Sequence, residues 1–179
     1  MKYTLILLLC ALAFPSFKVD KAQSAVTYTG SHSFHDWQGT TSEIEIITNC
    51  DSMNSNCDAT ITVPAMSFTS GNDNRDSNML FYIDGFSYPM IKISFSHLNI
   101  YNLLSSDKII LTNGEIDFHG FKLNQEIPLF IRKETNTIFI SSNFSIKLDS
   151  FQVDRPSLLM LPIKNLIKLD VTIKGEFIP

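Results

Sequence analysis

Charge is scarce in this chain. Charged residues fill 18% of its 179 positions, hydrophobic residues fill 44%, and the formal net charge is only −4. So apolar a composition excludes a disordered chain. Without residues 1–25, 11 basic and 17 acidic residues remain, and that acidic balance excludes general attraction to nucleic acid or anionic lipid. Catalytic signatures are missing too: G-x-S-x-G, H-E-x-x-H, the phosphate loop and the dinucleotide fingerprint are all absent, which leaves an enzyme unsupported. There is no repeat, low-complexity tract or linker, and so no sign of a second domain. Beyond the first residues no segment approaches the length of a transmembrane helix.

What is present begins with an export signal. Lys2 supplies the positive start, and Thr4–Phe14 is an apolar stretch too short to span a bilayer comfortably. Pro15 and Ser16 follow, then small residues around Ala22–Ala25. Residues 1–25 are therefore assigned to the leader, with cleavage between 16 and 25, and residues 26–179 to one domain. Cys10 follows Leu9 rather than a small residue, which makes it a poor lipoprotein cysteine. The expected location is periplasmic or secreted. Cys50 and Cys57 remain after cleavage. An oxidising compartment favours a disulfide pinning a short hairpin loop, with free thiols as the alternative.

Apolar residues recur at every second position through most of the chain, the signature of half-buried strands. Val26, Tyr28, His32 and Phe34 form one row. Ile44 with Ile46, then Ala59, Ile61 and Val63, form the next two. Ile91, Ile93 and Phe95 follow, then Ile110, Gly114, Ile116 and Phe118. Leu123 to Ile131, Ile138 to Leu148 and Ile167 to Phe177 complete eight rows. Two breaks read as short helices. One is capped at Asp76 or Ser77 and runs through Ile83; the other has Pro156 in its first turn. The fold class is all-β: eight antiparallel strands in a barrel or sandwich, with one or two short helices.

Five segments carry a family resemblance. They are His35-Asp-Trp-Gln-Gly-Thr40, Val63-Pro-Ala-Met-Ser-Phe-Thr-Ser-Gly-Asn72, Tyr88-Pro-Met-Ile-Lys-Ile-Ser-Phe95, Leu111-Thr-Asn-Gly-Glu-Ile-Asp-Phe-His-Gly120 and Asp154-Arg-Pro-Ser-Leu-Leu159. In that order and spacing they resemble the YceI family of polyisoprenoid-binding, lipocalin-like periplasmic proteins, from about Val26 to Phe177. The resemblance implies an eight-stranded lipocalin-like barrel with a long apolar interior. It also implies a bound isoprenoid-like lipid, such as a quinone tail or polyprenyl phosphate, and no shared catalytic residues. A homodimer is compatible with it. The residues differ from the family after Gly120, where the usual Thr-Lys is replaced by Phe121-Lys122, and at the Cys50–Cys57 loop. Both departures are expected to affect the barrel mouth.

On this reading the ligand-binding interior includes Tyr28, Phe34, Trp37, Ile93, Phe95 and Ile116. Phe118, Leu129, Ile140, Phe144, Leu169 and Val171 extend it, with Ser142 and Gly114 as small gaps in the rows. The partner is an amphiphilic lipid, and no other cofactor is expected. The competing expectation is a non-catalytic interaction module with a packed core, because any β core shows the same apolar rows. No metal site is expected: His32 and His35, three apart on a strand, would face opposite ways. Asp51, Asn54, Asn56 and Asp58 lack EF-hand spacing. Asp73, Arg75 and Asp76 read as a solvated loop and helix cap, and Arg155 as a partner for Asp154 or for a phosphate. Asn143-Phe-Ser145 is a sequon inside a strand.

Overall fold

The computed structural model describes residues 16–51, 56–106 and 108–178. The apolar leader stretch, Cys10 and the loop 52–55 lie outside them. The chain forms β1 (Ser16–Val19), β2 (Ala25–Ser31), β3 (Asp36–Thr41), β4 (Glu45–Asp51) and β5 (Asn56–Pro64). Helix α1 (Asp73–Tyr82) is followed by β6 (Met90–Asn99) and α2 (Ile100–Ser105). Then come β7 (Ile110–Phe118), β8 (Phe121–Glu134), β9 (Thr137–Lys147), β10 (Ser157–Leu158), β11 (Leu161–Pro162) and β12 (Leu166–Ile178).

One antiparallel sheet runs β3-β2-β12-β9-β8-β7-β6-β5-β4 and curls on itself, with β1 beside β2 along the same edge of β12. All eight expected strands are there, and the class is the lipocalin-like one. Two further strands join the main sheet. β3 escaped sequence reading because its inward positions include Gly39 rather than an apolar side chain. β1 lies inside the segment assigned to the leader. Its register with β12 runs from Ser16 opposite Ile178 to Val19 opposite Gly175, and Phe17 is buried. The sheet therefore includes residues 16–19, which the expected domain bounds of 26–179 leave out.

Successive hairpins give the curled sheet two ends. At one end lie the β2–β3 turn, α1, the β7–β8 turn at His119-Gly120, and residues 148–165. At the other lie the β4–β5 hairpin, α2 and the β8–β9 turn. Leu98, Leu103, Ile131, Ile138 and Ile173 are buried toward this second end. Cys50 and Cys57 sit directly opposite each other in the β4–β5 register and are bridged, with Cα atoms 4.0 Å apart.

The helices differ from expectation in place and capping. The side chain of Asn72 caps α1, accepting from the Arg75 amide at 3.0 Å. Asp76 instead takes hydrogen bonds from the amide and hydroxyl of Ser70. Slight desolvation opposes ionisation of Asp76, but these bonds, with help from Thr69 and the Arg75 charge, hold its carboxyl below its ordinary range. Residues 157–162 form the two-residue hairpin strands β10 and β11, not a helix. The tip residues Leu159 and Met160 both take left-handed φ values, 51° and 64°, which a helix excludes. The second helix is α2, capped by Asn99.

A chain that begins at Ala25 loses β1 and the burial of Phe17. Denaturant unfolding is expected to show it less stable than a chain beginning at Ser16, by about 2 kcal/mol or more. Equal stabilities would mean that β1 contributes nothing.

Candidate functional site

The interior toward the first end is hollow. A cavity of about 490 Å³ is walled by Val26, Tyr28, Ile61, Val63, Ile91, Ile93, Ile116, Phe118, Phe144, Ile146, Ile167, Leu169 and Val171 from six strands. Phe68, Met79, Tyr82 and Ile83 cover it from the α1 side, and Leu148, Val153, Pro156 and Leu158 from the 148–158 side. Its exposed lining residues, among them His35, Asn78, Asp154 and Ser157, all lie at this end, which is therefore the mouth. The size falls within the range of small-molecule pockets.

Two glycines shape the wall near the mouth. Gly30 faces Trp37 and Gly39 faces Tyr28 across the β2–β3 ladder. A methyl group on Gly30 would strike the Trp37 indole, and one on Gly39 would strike the Tyr28 ring. Each missing side chain lets the opposite aromatic lie flat across the strand pair. Tyr28 also meets Phe68 edge-on, ring centroids 5.5 Å apart.

Polar groups are few, and two of them are unpartnered. The Tyr28 hydroxyl and His32 Nδ1 are buried without a hydrogen bond. Burial, reinforced by the Asp76 charge, pushes the Tyr28 hydroxyl up to about 12, so it stays a neutral donor. The Trp37 side chain approaches it without reaching hydrogen-bond geometry. His32 is 4% exposed, and its Nε2 is 3.0 Å from the Leu161 carbonyl oxygen. That contact makes Nε2 a donor, and in the neutral ring Nδ1 is then an acceptor. A buried polar atom without a partner is costly, so both atoms favour a ligand group able to meet them.

Of the twelve residues expected inside, eight line the cavity: Tyr28, Trp37, Ile93, Ile116, Phe118, Phe144, Leu169 and Val171. Phe95 and Leu129 are buried beyond it, in the filled part of the core, and Ile140 is half-buried there. Phe34 is on the outside, 62% exposed. β2 ends at Ser31, and residues 32–35 form the turn to β3, so the strand period does not reach Phe34. For the same reason His32 and His35 are not on opposite faces: their rings lie 6.4 Å apart and both line the cavity. Among the described residues no three His, Cys, Asp or Glu side chains are gathered as a metal site. Arg155 pairs with Asp149 at 3.3 Å and the Ile163 carbonyl at 3.1 Å, rather than with Asp154.

The model of the YceI-like domain matches residues 17–177. The chain belongs to the YceI-like family. Solved structures share its fold at low identity. Burkholderia cenocepacia BcnA superposes with a TM-score of 0.73 at 15% identity, covering 88% of this chain and 99% of that one. A polyisoprenoid binding domain from Saccharophagus degradans, implicated in plant cell wall breakdown, gives 0.70 at 13%, covering 92% and 100%. The Campylobacter jejuni YceI protein gives 0.64 at 15%, covering 98% of each chain. No curated protein matches at the sequence level.

Within this YceI-like chain, the two departures noted in the sequence separate. His119-Gly120 is the β7–β8 turn at the mouth end, with His119 Nδ1 2.8 Å from the Phe151 carbonyl oxygen. The Cys50–Cys57 bridge lies at the opposite end and does not shape the mouth, contrary to expectation.

Gly39→Ala drives a methyl group into the Tyr28 ring. Thermal or denaturant unfolding is expected to show a loss of about 1–3 kcal/mol, with Tyr28 displaced toward the cavity. An unchanged stability would mean that the close approach of Tyr28 to β3 is not needed.

Proposed function

We propose that this protein binds, carries or stores an isoprenoid-like lipid, such as a quinone tail or polyprenyl phosphate, with its tail inside the barrel. The single observation that carries the reading is the hollow apolar interior, open at one end and lined there by its few polar groups. Each buried methylene contributes about 0.8 kcal/mol. An isoprene unit therefore contributes a few kcal/mol before the costs of association, and several units bind firmly without a charged partner. The naming of a structural neighbour as a polyisoprenoid binding domain supports the choice of tail.

The head group stays at the mouth, near the Tyr28 hydroxyl and His32 Nδ1. This is a binding role and not a catalytic one: the wall is overwhelmingly apolar, and the mouth carries isolated polar groups. The competing packed module is disfavoured by the cavity itself. A barrel spanning a membrane is disfavoured because Lys168, Asp170 and Thr172 point outward while the apolar row of β12 points in, the reverse of a lipid-facing wall. Export to a periplasmic or extracellular space is supported by the Cys50–Cys57 bridge, which persists in oxidising compartments. On this reading a leader that ends before Ser16 would keep β1 in the sheet.

Mass spectrometry of organic extracts from the purified, exported protein is expected to show an isoprenoid-like lipid. An empty extract, together with no binding of long-chain quinone or polyprenyl phosphate, would overturn the proposal. Tyr28→Phe removes a hydroxyl that has no partner in the protein, so folding stability is expected to hold. Ligand affinity is expected to fall roughly 3- to 10-fold through the lost hydrogen bond, about 1 kcal/mol. Unchanged affinity in calorimetric titration would place the head group elsewhere.

A further inference from the structure

The cavity stops at one level on every strand that walls it. Along β6, Ile91 and Ile93 line it, but Phe95, the next inward residue, does not. Along β7 the lining ends at Ile116, and Gly114 lies beyond. Along β12 it ends at Val171, and Ile173 beyond is fully buried. Along β9 it ends at Phe144, and Ser142 beyond is tied to the Pro128 carbonyl at 2.6 Å.

What fills the next layer is visible at Gly114. A side chain there would lie 2.8 Å from Ile127 Cδ1 and 2.9 Å from Phe95 Cε1. The two side chains meet over the glycine, and they are 1% and 3% exposed. The absent Gly114 side chain is what lets the Phe95 ring cross the interior.

We infer that Phe95, seated over Gly114 against Ile127, is the floor of the site and sets the length of chain it accepts. This rests on the lipid-binding reading of the cavity and narrows it to short tails. A cavity of 150 Å³ holds one benzene, so about 490 Å³ holds roughly three such six-carbon units. That is a tail of about three to four isoprene units. A longer tail leaves its surplus at the mouth, where it gains nothing from burial. The specificity is for length, and it is read by a wall of the barrel far from any head group.

The test is a titration of the full-length mature protein with two graded series, prenyl alcohols and linear alkyl alcohols. Affinity is expected to rise about a hundredfold or more per added isoprene unit or its linear equivalent, and to level off at about three to four units. Phe95→Ala should move the plateau to longer chains. Ile93→Phe places its extra bulk in the hollow rather than the packed layer, and should move the plateau to shorter ones. It serves also if Phe95→Ala fails to fold. Affinity that keeps rising beyond four units in the unaltered protein would overturn the floor, as would folded variants that leave the plateau in place. Linear chains that level off while prenyl alcohols fail to bind would uphold the floor and sink the isoprenoid reading. No binding in either series would overturn both.

Discussion

The whole molecule hangs on β12. Along one side it pairs with β9 for eleven consecutive residues, and along the other it pairs with β2 and then β1. The inward row of this one strand, Ile167, Leu169, Val171 and Ile173, runs through both halves of the interior. Its first three members wall the cavity and the fourth is sealed in the core. A strand committed on both edges has no freedom to move out of the way, so the hollow and the filled halves are held on one rigid support. β1 completes that support, which is why residues 16–19 belong to the fold.

The division of labour between the two ends follows from side-chain volume. Toward the closed end, Phe95, Ile127, Leu98, Leu103 and Ile173 are buried together in the core. Toward the mouth, the aromatics lie flat against β2 and β3 because Gly30 and Gly39 make room, and the centre stays empty. The disulfide belongs to the stability half. The orphan hydroxyl and imidazole nitrogen belong to the binding half. On the proposed reading, stability and recognition are separated along the barrel axis, and substitutions in one half need not disturb the other.

Much of this was legible in the residues. Alternation located eight strands, because a half-buried strand must alternate. The family resemblance located the class and the place to look. Several particulars were hidden for physical reasons. β3 presents Gly39 inward and so shows no apolar row. Phe34 continues the period of β2 on paper, but the strand has already turned at Ser31. Leu158-Leu-Met160 is made of good helix formers, yet tertiary context bends it into a hairpin with Leu159 and Met160 in the left-handed region. Above all, Ile93 and Phe95 are neighbours in one row and look equivalent, although one lines the cavity and the other is buried past its end. Hollow and packed interiors use the same residue types, so only the three-dimensional arrangement separates them.

The central claim is a chain-binding hollow at one end of a barrel whose other end is solid. A crystal structure with a bound prenyl alcohol tests it most directly. The account predicts tail density entering beside Tyr28 and Trp37, running between Ile93, Ile116 and Phe144, and ending against Phe95. Density that passes Phe95 into the closed half, or a tail bound on the outer surface, would contradict it.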